Sequence, residues 1–332
     1  MTDTESARSF LGSDFEKYRQ TLNNAIHSDE EYLNAINKYV LGSRGKEIRP
    51  ILSLLAGLAC GKLTEQNYCC AAATEMLHTA TLMHDDVADS ASMRRGILSV
   101  SAMFSAPAAV LTGDFWLARS LNLLVDRCDK QIVLNFSEAI RKMSEGELLQ
   151  LDKADKLDTD EDDYFRIIYG KTAALFEASL KSAAMASGAD SHCTDCITSY
   201  AEHVGLAFQI KDDIMDYTPG LDTGKLPGAD LKERKITLPL IGAMKNAPEQ
   251  SSAVIAKIST IEDIFSKETT PQEVQIMAEV SDFVVRNKGI DYAAQKLSAQ
   301  IGLAVDSLTP LPPSRAKEFL TGFAEYVGRR GR

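Results

Sequence analysis

Two short segments of the sequence carry three aspartates each, at the same spacing. The first cluster is Asp85, Asp86 and Asp89 in HDDVAD, and the second cluster is Asp212, Asp213 and Asp216 in KDDIMD. Residues four apart share a helix face, so the outer carboxylates of each cluster repel by about 0.2–0.5 kcal/mol on a helix. The helix dipole disfavours them further if each helix ends there, as the following residues indicate. Local rules broken twice in the same way are typical of functional sites.

A divalent cation would remove this conflict between like charges. Mg²⁺ prefers oxygen ligands in octahedral geometry and completes its shell with water and substrate phosphates. The alternative is that both clusters are solvated, acidic helix ends. That alternative explains poorly why both clusters follow apolar runs, MLHTATLM and GLAFQI. We therefore predict that the clusters hold metal ions that bridge to a diphosphate.

Basic residues that could hold a diphosphate stand at expected helix ends and in turns. Arginine supplies forked donors for phosphate oxygens, and lysine supplies a point charge. Any one of them alone is typical of a protein surface, but together with two metal clusters they indicate sites for two diphosphates. The candidates are Lys46 and Arg49 in GSRGKEIRP, Arg94 and Arg95 after the first cluster, Lys171 in GKT, Lys225 in TGK and Lys235 in KITLP.

Two other kinds of site are less well supported by the sequence. A phosphate-binding loop needs G-x-x-x-x-G-K-[ST], but Phe165 stands where the GKT segment would need its first glycine. Cys193 and Cys196 form a CxxC beside His192. No second pair with suitable spacing completes a zinc site, so an ordinary helical turn is the favoured interpretation.

The charge and the termini exclude further classes of function. The net charge of −11 argues against a general nucleic-acid binder. The C-terminal Arg329, Arg330 and Arg332 are interpreted as a frayed, solvated end. The N-terminus lacks the features of a signal peptide and no apolar run approaches a membrane span, so we expect a cytoplasmic protein without a transmembrane segment.

The elements that must position these residues are helices. Apolar residues recur at three- and four-residue steps, which predicts an all-α protein. No linker divides the chain, so we expect a single domain over residues 1–332 with a short flexible N-terminus of about 12 residues. The expected helices span about 14–40, 48–61, 65–90, 98–126, 130–154, 160–187, 192–217, 236–247, 250–266, 272–287, 289–307 and 313–329.

Taken in order, the motifs resemble those of the trans (E-type) isoprenyl diphosphate synthases, the polyprenyl synthetase family. The resemblance extends from about Phe15 to Tyr326. It rests on GSRGKEIRP, EMLHTATLMHDD, DDVADSASMRRG, GDFWLAR, GELLQL, GKTAALFEAS, GLAFQIKDDIMD and GKLPGADLKERKITLPL. It implies a head-to-tail condensation of isopentenyl diphosphate with an allylic diphosphate. It also implies a helical bundle around a deep central cavity, with both aspartate clusters at its mouth, and a homodimer.

The resemblance further implies roles for individual residues. The six aspartates of the two clusters would hold about three Mg²⁺ ions on the allylic diphosphate. The same diphosphate would be bound by Arg94, Lys171 and Lys225, with Lys235 nearby. Isopentenyl diphosphate would be bound by Lys46, Arg49, His78 and Arg95. The reacting centre would be lined by Thr172 and Gln209, whose oxygen dipoles would face the allylic cation.

Residues one turn before the first cluster bear on product length. In the family, an aromatic side chain here stops elongation at farnesyl or geranylgeranyl, whereas Ala80 and Thr81 are small and leave the path open. Phe136 is a candidate floor of the path, although core packing also accounts for a lone phenylalanine. We therefore predict a long-chain product, hexaprenyl to nonaprenyl, of the kind attached to quinones.

Four alternatives compete with this interpretation. Terpene cyclases typically lack the second aspartate cluster and need no second diphosphate site, and head-to-head synthases usually show DxxxD pairs. Non-catalytic regulatory subunits of prenyl synthases usually lose one or both clusters, whereas this chain keeps all six carboxylates. A short-chain farnesyl or geranylgeranyl diphosphate synthase is the alternative within the same reaction.

Overall fold

The computed structural model describes residues 4–43, 45–218, 229–261 and 269–330. Its elements in chain order are α1 (Thr4–Leu11), α2 (Ser13–Ala25), α3 (Glu31–Gly42), α4 (Ile48–Cys60), α5 (Glu65–Ala88), β1 (Met93–Arg94), β2 (Ile97–Leu98), α6 (Val100–Met103), α7 (Ala106–Arg127), α8 (Lys130–Lys156), α9 (Glu161–Ile168), a π-helical segment (Tyr169–Ala173), α10 (Ala174–Ala186), α11 (Ser191–Asp216), α12 (Ala229–Lys232), α13 (Leu238–Asn246), α14 (Pro248–Ile258), α15 (Pro271–Arg286), α16 (Gly289–Leu308) and α17 (Arg315–Arg329). The all-α prediction is confirmed.

The chain forms two compact units whose segments alternate along the sequence. Unit 1 comprises Met1–Ala139, Leu175–Ala201 and Ser307–Phe323, and unit 2 comprises Ile140–Ala174, Glu202–Asp306 and Ala324–Arg332. The single domain over 1–332 stays a prediction. In the described ranges, no helix has the length and apolar character needed to cross a membrane.

In unit 1, α5 carries the first aspartate cluster and packs against α2, α4 and α7. Thr64 caps its N-terminus in a capping box with Asn67, which satisfies backbone donors that the first turn leaves open. The helix is buried on every side from Asn67 to Leu77, as expected for a helix without a polar face. The same helix leaves the core towards its C-terminus, where the carboxylates lie.

The N-terminal region differs from the sequence-based expectation. Instead of a flexible segment, residues 4–11 form α1, which buries Ala7 and Leu11. The expected single helix over 14–40 is broken between α2 and α3. Asn34 explains the break, because its side chain accepts from the Ser28 backbone N–H and donates to the Ser28 carbonyl oxygen. Such a local bond competes with the helical backbone pattern.

The expected helix over 98–126 begins later, because a hairpin and the short α6 precede α7. Met93 pairs with Leu98, and Arg94 pairs with Ile97. Arg95 and Gly96 form the turn, both with positive φ (52° and 79°), which is the backbone that two-residue hairpin turns require.

In unit 2, two glycines bring α8 and the π-helical segment into backbone contact. A Cβ on Gly146 would lie 2.9 Å from the Lys171 nitrogen, and a Cβ on Gly170 would lie 2.7 Å from the Lys142 carbonyl oxygen. A side chain at either position would therefore push the two elements apart. π-Helical turns occur frequently at functional sites. This one is the YGKTA segment, which carries Lys171 and Thr172.

Candidate active site

The first cluster lies at the C-terminal end of α5, as the sequence predicts. Asp85 is half-buried, Asp86 is buried, and Asp89 is exposed at the cap position, where its N–H donates to the Asp85 carbonyl oxygen at 2.8 Å. Arg94 on β1 donates to Asp86 Oδ1 at 2.7 Å. A pocket in unit 1 is lined by Asp86, Arg94 and Arg95 together with apolar side chains.

The two adjacent arginines contact different groups in unit 1. Arg94 pairs with Asp86, whereas Arg95 reaches back to the segment before α4. Its Nη1 donates to the Ser43 carbonyl oxygen at 3.3 Å. A Cβ built on Gly45 would lie 2.6 Å from the Arg95 Cζ, so this guanidinium lies directly against Gly45, next to Lys46.

His78 is the meeting point of the residues expected to bind isopentenyl diphosphate. Arg49 Nη1 lies 3.2 Å from His78 Nε2, and the Arg49 guanidinium stacks 4.6 Å from the centre of the Phe176 ring. Burial, with added repulsion from Arg49, Arg95 and Arg94, holds the pKa of His78 well below its ordinary value. A neutral imidazole can accept from Arg49 and leaves the arginine charge available for an anion.

In unit 2, the second cluster lies in the last turns of α11 and is part of a hydrogen-bonded chain. Thr172 Oγ1 donates to Gln209 Oε1 at 2.7 Å, and Gln209 Nε2 donates to Asp213 Oδ1 at 2.9 Å. The Tyr164 hydroxyl donates to Asp213 Oδ2 at 2.6 Å. The predicted pair of Thr172 and Gln209 is thus brought together, and their bond fixes the orientation of the Gln209 amide.

Burial is the main cause of the pKa shifts of Asp213 and Tyr164 in this hydrogen-bonded network. Burial and the nearby Asp230 carboxylate raise the pKa of Asp213 to about 8, although hydrogen bonds from Tyr164 and Gln209 oppose the rise. Burial and the charge of Asp213 raise the pKa of Tyr164 well above its ordinary value, so the phenol stays a donor. A cation near Asp213 would favour the ionised carboxylate.

Lys171 and Lys235 line the same pocket of unit 2, which Gln209 and Asp213 also line. Lys171 Nζ lies 2.6 Å from Glu147 Oε1 on α8. Lys235 pairs with Glu233, and its backbone N–H donates to the Asp230 carbonyl oxygen at 2.9 Å. Each lysine is therefore paired with a neighbouring carboxylate.

The interpretation of the C-terminal arginines as a frayed end is wrong for Arg330. The Arg330 Nη2 lies 3.1 Å from Asp212 Oδ1, and its guanidinium stacks 4.2 Å from the centre of the Phe208 ring. Helix α17 continues to Arg329, and Arg330, the next residue, lies against α11. Arg329 pairs with Glu325 on the exposed side of α17, and Arg332 lies outside the described residues.

Three more residues show where sequence reasoning stops. Tyr164 contacts Asp213, and Glu147 contacts Lys171. Tyr164 belongs to none of the motifs, and Glu147 stands in GELLQL without an expected role. Lys225 is a predicted ligand that lies outside the described residues.

The residues expected to set product length are in unit 1. Ala80 is fully buried, and its carbonyl oxygen would lie 3.2 Å from a Cβ on Gly113, so α7 packs closely here. Thr81 is half-buried and donates to the His78 carbonyl oxygen at 2.9 Å. Phe136 is fully buried on α8.

Several non-glycine residues with left-handed backbone flank the candidate residues. Glu47 (φ 51°) follows Lys46, Ser90 (φ 51°) follows Asp89, and Arg234 (φ 55°) precedes Lys235. Arg95 (φ 52°) is itself a candidate. Such residues cost about 1–3 kcal/mol each and persist only where the surroundings hold them. Their positions indicate that the surroundings hold the backbone of these loops in one conformation next to the candidate ligands.

The donor set suits Mg²⁺, although the described residues contain no group of three or more histidine, cysteine or acidic side chains that forms a ready cation cage. Mg²⁺ is usually bound by one or two carboxylates, with water and substrate phosphates completing the shell. Each cluster offers such carboxylates, including the half-buried Asp85 and Asp216. The residues therefore fit a metal that is bound together with a diphosphate.

Comparison with known proteins places the chain in a family. The polyprenyl synthetase family model matches residues 30–277. All-trans-nonaprenyl-diphosphate synthase (geranyl-diphosphate specific) of Rhodobacter capsulatus is 39% identical over 321 residues, which cover 96% of this chain and 95% of that protein.

Solved structures agree with the sequence match. The crystal structure of a decaprenyl diphosphate synthase from Rhodobacter capsulatus has a TM-score of 0.91 at 29% identity, and covers 99% of this chain and 100% of that chain. That of a polyprenyl synthase from Caulobacter crescentus CB15, complexed with calcium and isoprenyl diphosphate, has a TM-score of 0.88 at 27% identity over 99% of this chain and 98% of that chain. The chain belongs to the polyprenyl synthetase family.

Proposed function

We propose that this protein is a Mg²⁺-dependent prenyltransferase that condenses isopentenyl diphosphate head-to-tail with an allylic diphosphate. The observation that carries the proposal is the presence of two separate sets of cations, as a reaction between two diphosphates needs. In unit 1, Arg49 contacts His78, and the Arg95 guanidinium lies against Gly45, next to Lys46. In unit 2, Lys171 and Lys235 line one pocket.

The proposed division of labour follows the residues of each unit. About three Mg²⁺ ions, bound by the two aspartate clusters, would stabilise the negative charge that develops on the departing diphosphate. Lys171, Lys225, Lys235 and Arg94 would bind and orient the same diphosphate. The calcium and isoprenyl diphosphate in the Caulobacter polyprenyl synthase support a site of this kind.

The other substrate would be held by Lys46, Arg49, His78 and Arg95, which would place its double bond against the allylic carbon. The hydrogen bond from Thr172 fixes the Gln209 amide. The dipoles of the Thr172 hydroxyl oxygen and the Gln209 amide oxygen would then stabilise the allylic cation. Apolar walls would exclude water, which would otherwise capture the cation.

We further propose a long-chain, all-trans product. The nonaprenyl and decaprenyl diphosphate synthases of Rhodobacter capsulatus support this, because each matches nearly the whole chain. The small Ala80 and Thr81 agree with it, since neither places an aromatic ring one turn before Asp85.

A homodimer and a cytoplasmic location remain predictions. The exposed face of α7 supports the homodimer, because Leu111, Ala118 and Val125 recur at seven-residue steps there. Residues seven apart lie on one side of a helix, and such an apolar stripe suits packing against a second copy.

Release of pyrophosphate by the purified protein alone tests the reaction. The protein is given Mg²⁺, isopentenyl diphosphate and farnesyl diphosphate, and the reference reactions omit Mg²⁺ or one substrate. Release that requires all three supports a self-sufficient synthase. No release from the protein alone would favour the alternative of a regulatory subunit that acts with a catalytic partner.

A further inference from the structure

Glu47 is a buried acid placed between two cations that are expected to bind an anion. It follows Lys46 and precedes Arg49 by two residues in GKEIRP. Its side chain is 0% exposed, and its backbone is left-handed, with φ 51° and ψ 40°, at the start of α4. A carboxylate at this position is unfavourable for binding a diphosphate unless its charge is balanced.

Three side chains from α1 and α2 surround the Glu47 carboxylate. The Tyr18 hydroxyl donates to Oε1 at 3.0 Å, and Arg19 Nη2 donates to Oε2 at 2.7 Å. Arg8 Nη2 lies 3.5 Å from Oε2 and donates to the Lys46 carbonyl oxygen at 2.7 Å. The backbone of Lys46 is thus tied to the same network.

Both arginines are themselves held in place by one ring. Their guanidinium carbons lie 5.4 Å (Arg8) and 4.7 Å (Arg19) from the centre of the Phe15 ring, which is buried. A buried ion pair often stabilises a fold no more than apolar residues would, but it fixes geometry, because losing one partner leaves a costly unpaired charge. The left-handed backbone of Glu47 adds a second constraint on the loop.

We propose that Glu47 is a positioning residue for isopentenyl diphosphate. Its bonds to Tyr18 and Arg19 fix the loop backbone, so that Lys46 and Arg49 present their charges at one spacing. The two arginines also neutralise the carboxylate, so that it does not repel the substrate. This inference rests on the proposed function.

Substitution of Glu47 by glycine is the direct test, because glycine tolerates a left-handed backbone and removes only the side chain that holds the loop. The KM for isopentenyl diphosphate is expected to rise at least fivefold in E47G. The kcat and the KM for the allylic diphosphate are expected to stay within twofold of wild type. E47Q keeps the hydrogen-bonding shape but leaves both arginines without a carboxylate, so it is expected to recover only part of the lost affinity.

Arg19→Gln tests the same network from α2, in case E47G does not fold. It leaves the buried carboxylate with less compensation, so the same selective rise in the KM for isopentenyl diphosphate is expected. Glu318→Gln is the matched control, because it removes only the exposed pair with Arg315 in unit 1. This control is expected to change neither KM.

The outcomes separate the positioning role from the reaction itself. If wild type consumes no isopentenyl diphosphate, the proposed function fails. If wild type is active but both KM values rise together in R19Q and E47G, or neither changes, the role of Glu47 is only structural and the inference is overturned. Thermal unfolding of each variant, measured in parallel, shows whether the variant is folded at the assay temperature.

Discussion

Arg94 and Arg95 differ in their partners although they are adjacent, because Arg95 takes the left-handed turn position of the hairpin. Arg94 turns to Asp86, and Arg95 turns to Gly45 beside Lys46. We expect Arg94→Ala to raise chiefly the KM for the allylic diphosphate, and Arg95→Ala chiefly that for isopentenyl diphosphate. Steady-state kinetics with each substrate varied in turn measures both. The same defect towards both substrates in both variants would show that this division is wrong.

The contact of Arg330 with Asp212 leads to a prediction about Mg²⁺ binding. The Arg330 guanidinium lies against Asp212, so it would compete with a cation for this carboxylate. A partly exposed pair of this kind contributes about 0.2–1 kcal/mol. Arg330→Gln should therefore lower the Mg²⁺ concentration that gives half of the maximal rise in Tm, by up to about fivefold.

Arg329→Gln is the control, since Arg329 pairs with Glu325 and not with the cluster. It should leave the Mg²⁺ dependence of Tm unchanged. A requirement for more Mg²⁺ in R330Q than in wild type would mean that Arg330 supports the metal site and does not compete with it.

What the sequence reveals at this scale depends on repetition. Two clusters of like charge break the same rules twice, so all six aspartates stand out. Tyr164, Glu147 and Arg330 are single polar residues whose partners are distant in sequence, and only the folded chain shows that they contact the predicted ligands.

At the scale of elements, the π-helical segment determines where Lys171 and Thr172 lie. Gly170 allows α8 to approach to backbone contact. Gly170→Ala would place a methyl group about 2.7 Å from the Lys142 carbonyl oxygen, so the segment must shift. We expect kcat to fall at least tenfold, because the Thr172–Gln209 bond is displaced, while the protein stays folded by circular dichroism. A kcat within twofold of wild type would show that this contact does not set the geometry.

At the start of α9 in unit 2, Glu161 pairs with Lys245 and Lys296 and accepts a hydrogen bond from Tyr292. Burial opposes ionisation of Glu161, but bonds from Lys245, Lys296 and Tyr292 outweigh it and lower its pKa to about 2. A lowered carboxyl pKa stabilises the fold above the unfolded-state value, which is near 4.5, and the contribution is lost as the pH falls towards 2. Glu161→Gln should therefore destabilise the protein at pH 7.

Chemical denaturation of wild type and E161Q at several pH values measures this effect. The difference in unfolding free energy should be largest at neutral pH and shrink below about pH 4.5. A difference that is independent of pH between 7 and 3 would show that Glu161 acts through packing and not through its charge.

Helical periodicity predicted α4, α5 and α11 closely, since their apolar residues repeat at helical steps over many turns. It missed the break before α3, the hairpin and the π-helical turn. Each of these depends on a specific bond or close contact, such as Asn34 with Ser28 or Gly146 with Gly170, which periodicity does not encode.

At the scale of the whole molecule, the two units are built from segments that alternate along the chain. No local pattern in the sequence announces this arrangement, because each unit gathers helices that are far apart in sequence. The family resemblance, by contrast, was visible from the order of the motifs, since that order extends over nearly the full length that the relatives match.

Product length is the property of the whole molecule that remains to be measured. Thr81→Tyr is a better probe than Ala80→Tyr, because Ala80 is fully buried against α7 and a large ring there would disturb packing. We expect T81Y to shorten the product to farnesyl or geranylgeranyl diphosphate without abolishing condensation. Thr81→Ser, which keeps the hydroxyl, should leave the length unchanged.

The most direct test of the central claim is mass spectrometry of the hydrolysed products that wild type makes alone from isopentenyl diphosphate, an allylic primer and Mg²⁺. The account predicts all-trans polyprenyl alcohols from hexaprenyl to nonaprenyl. A product no longer than geranylgeraniol would contradict it.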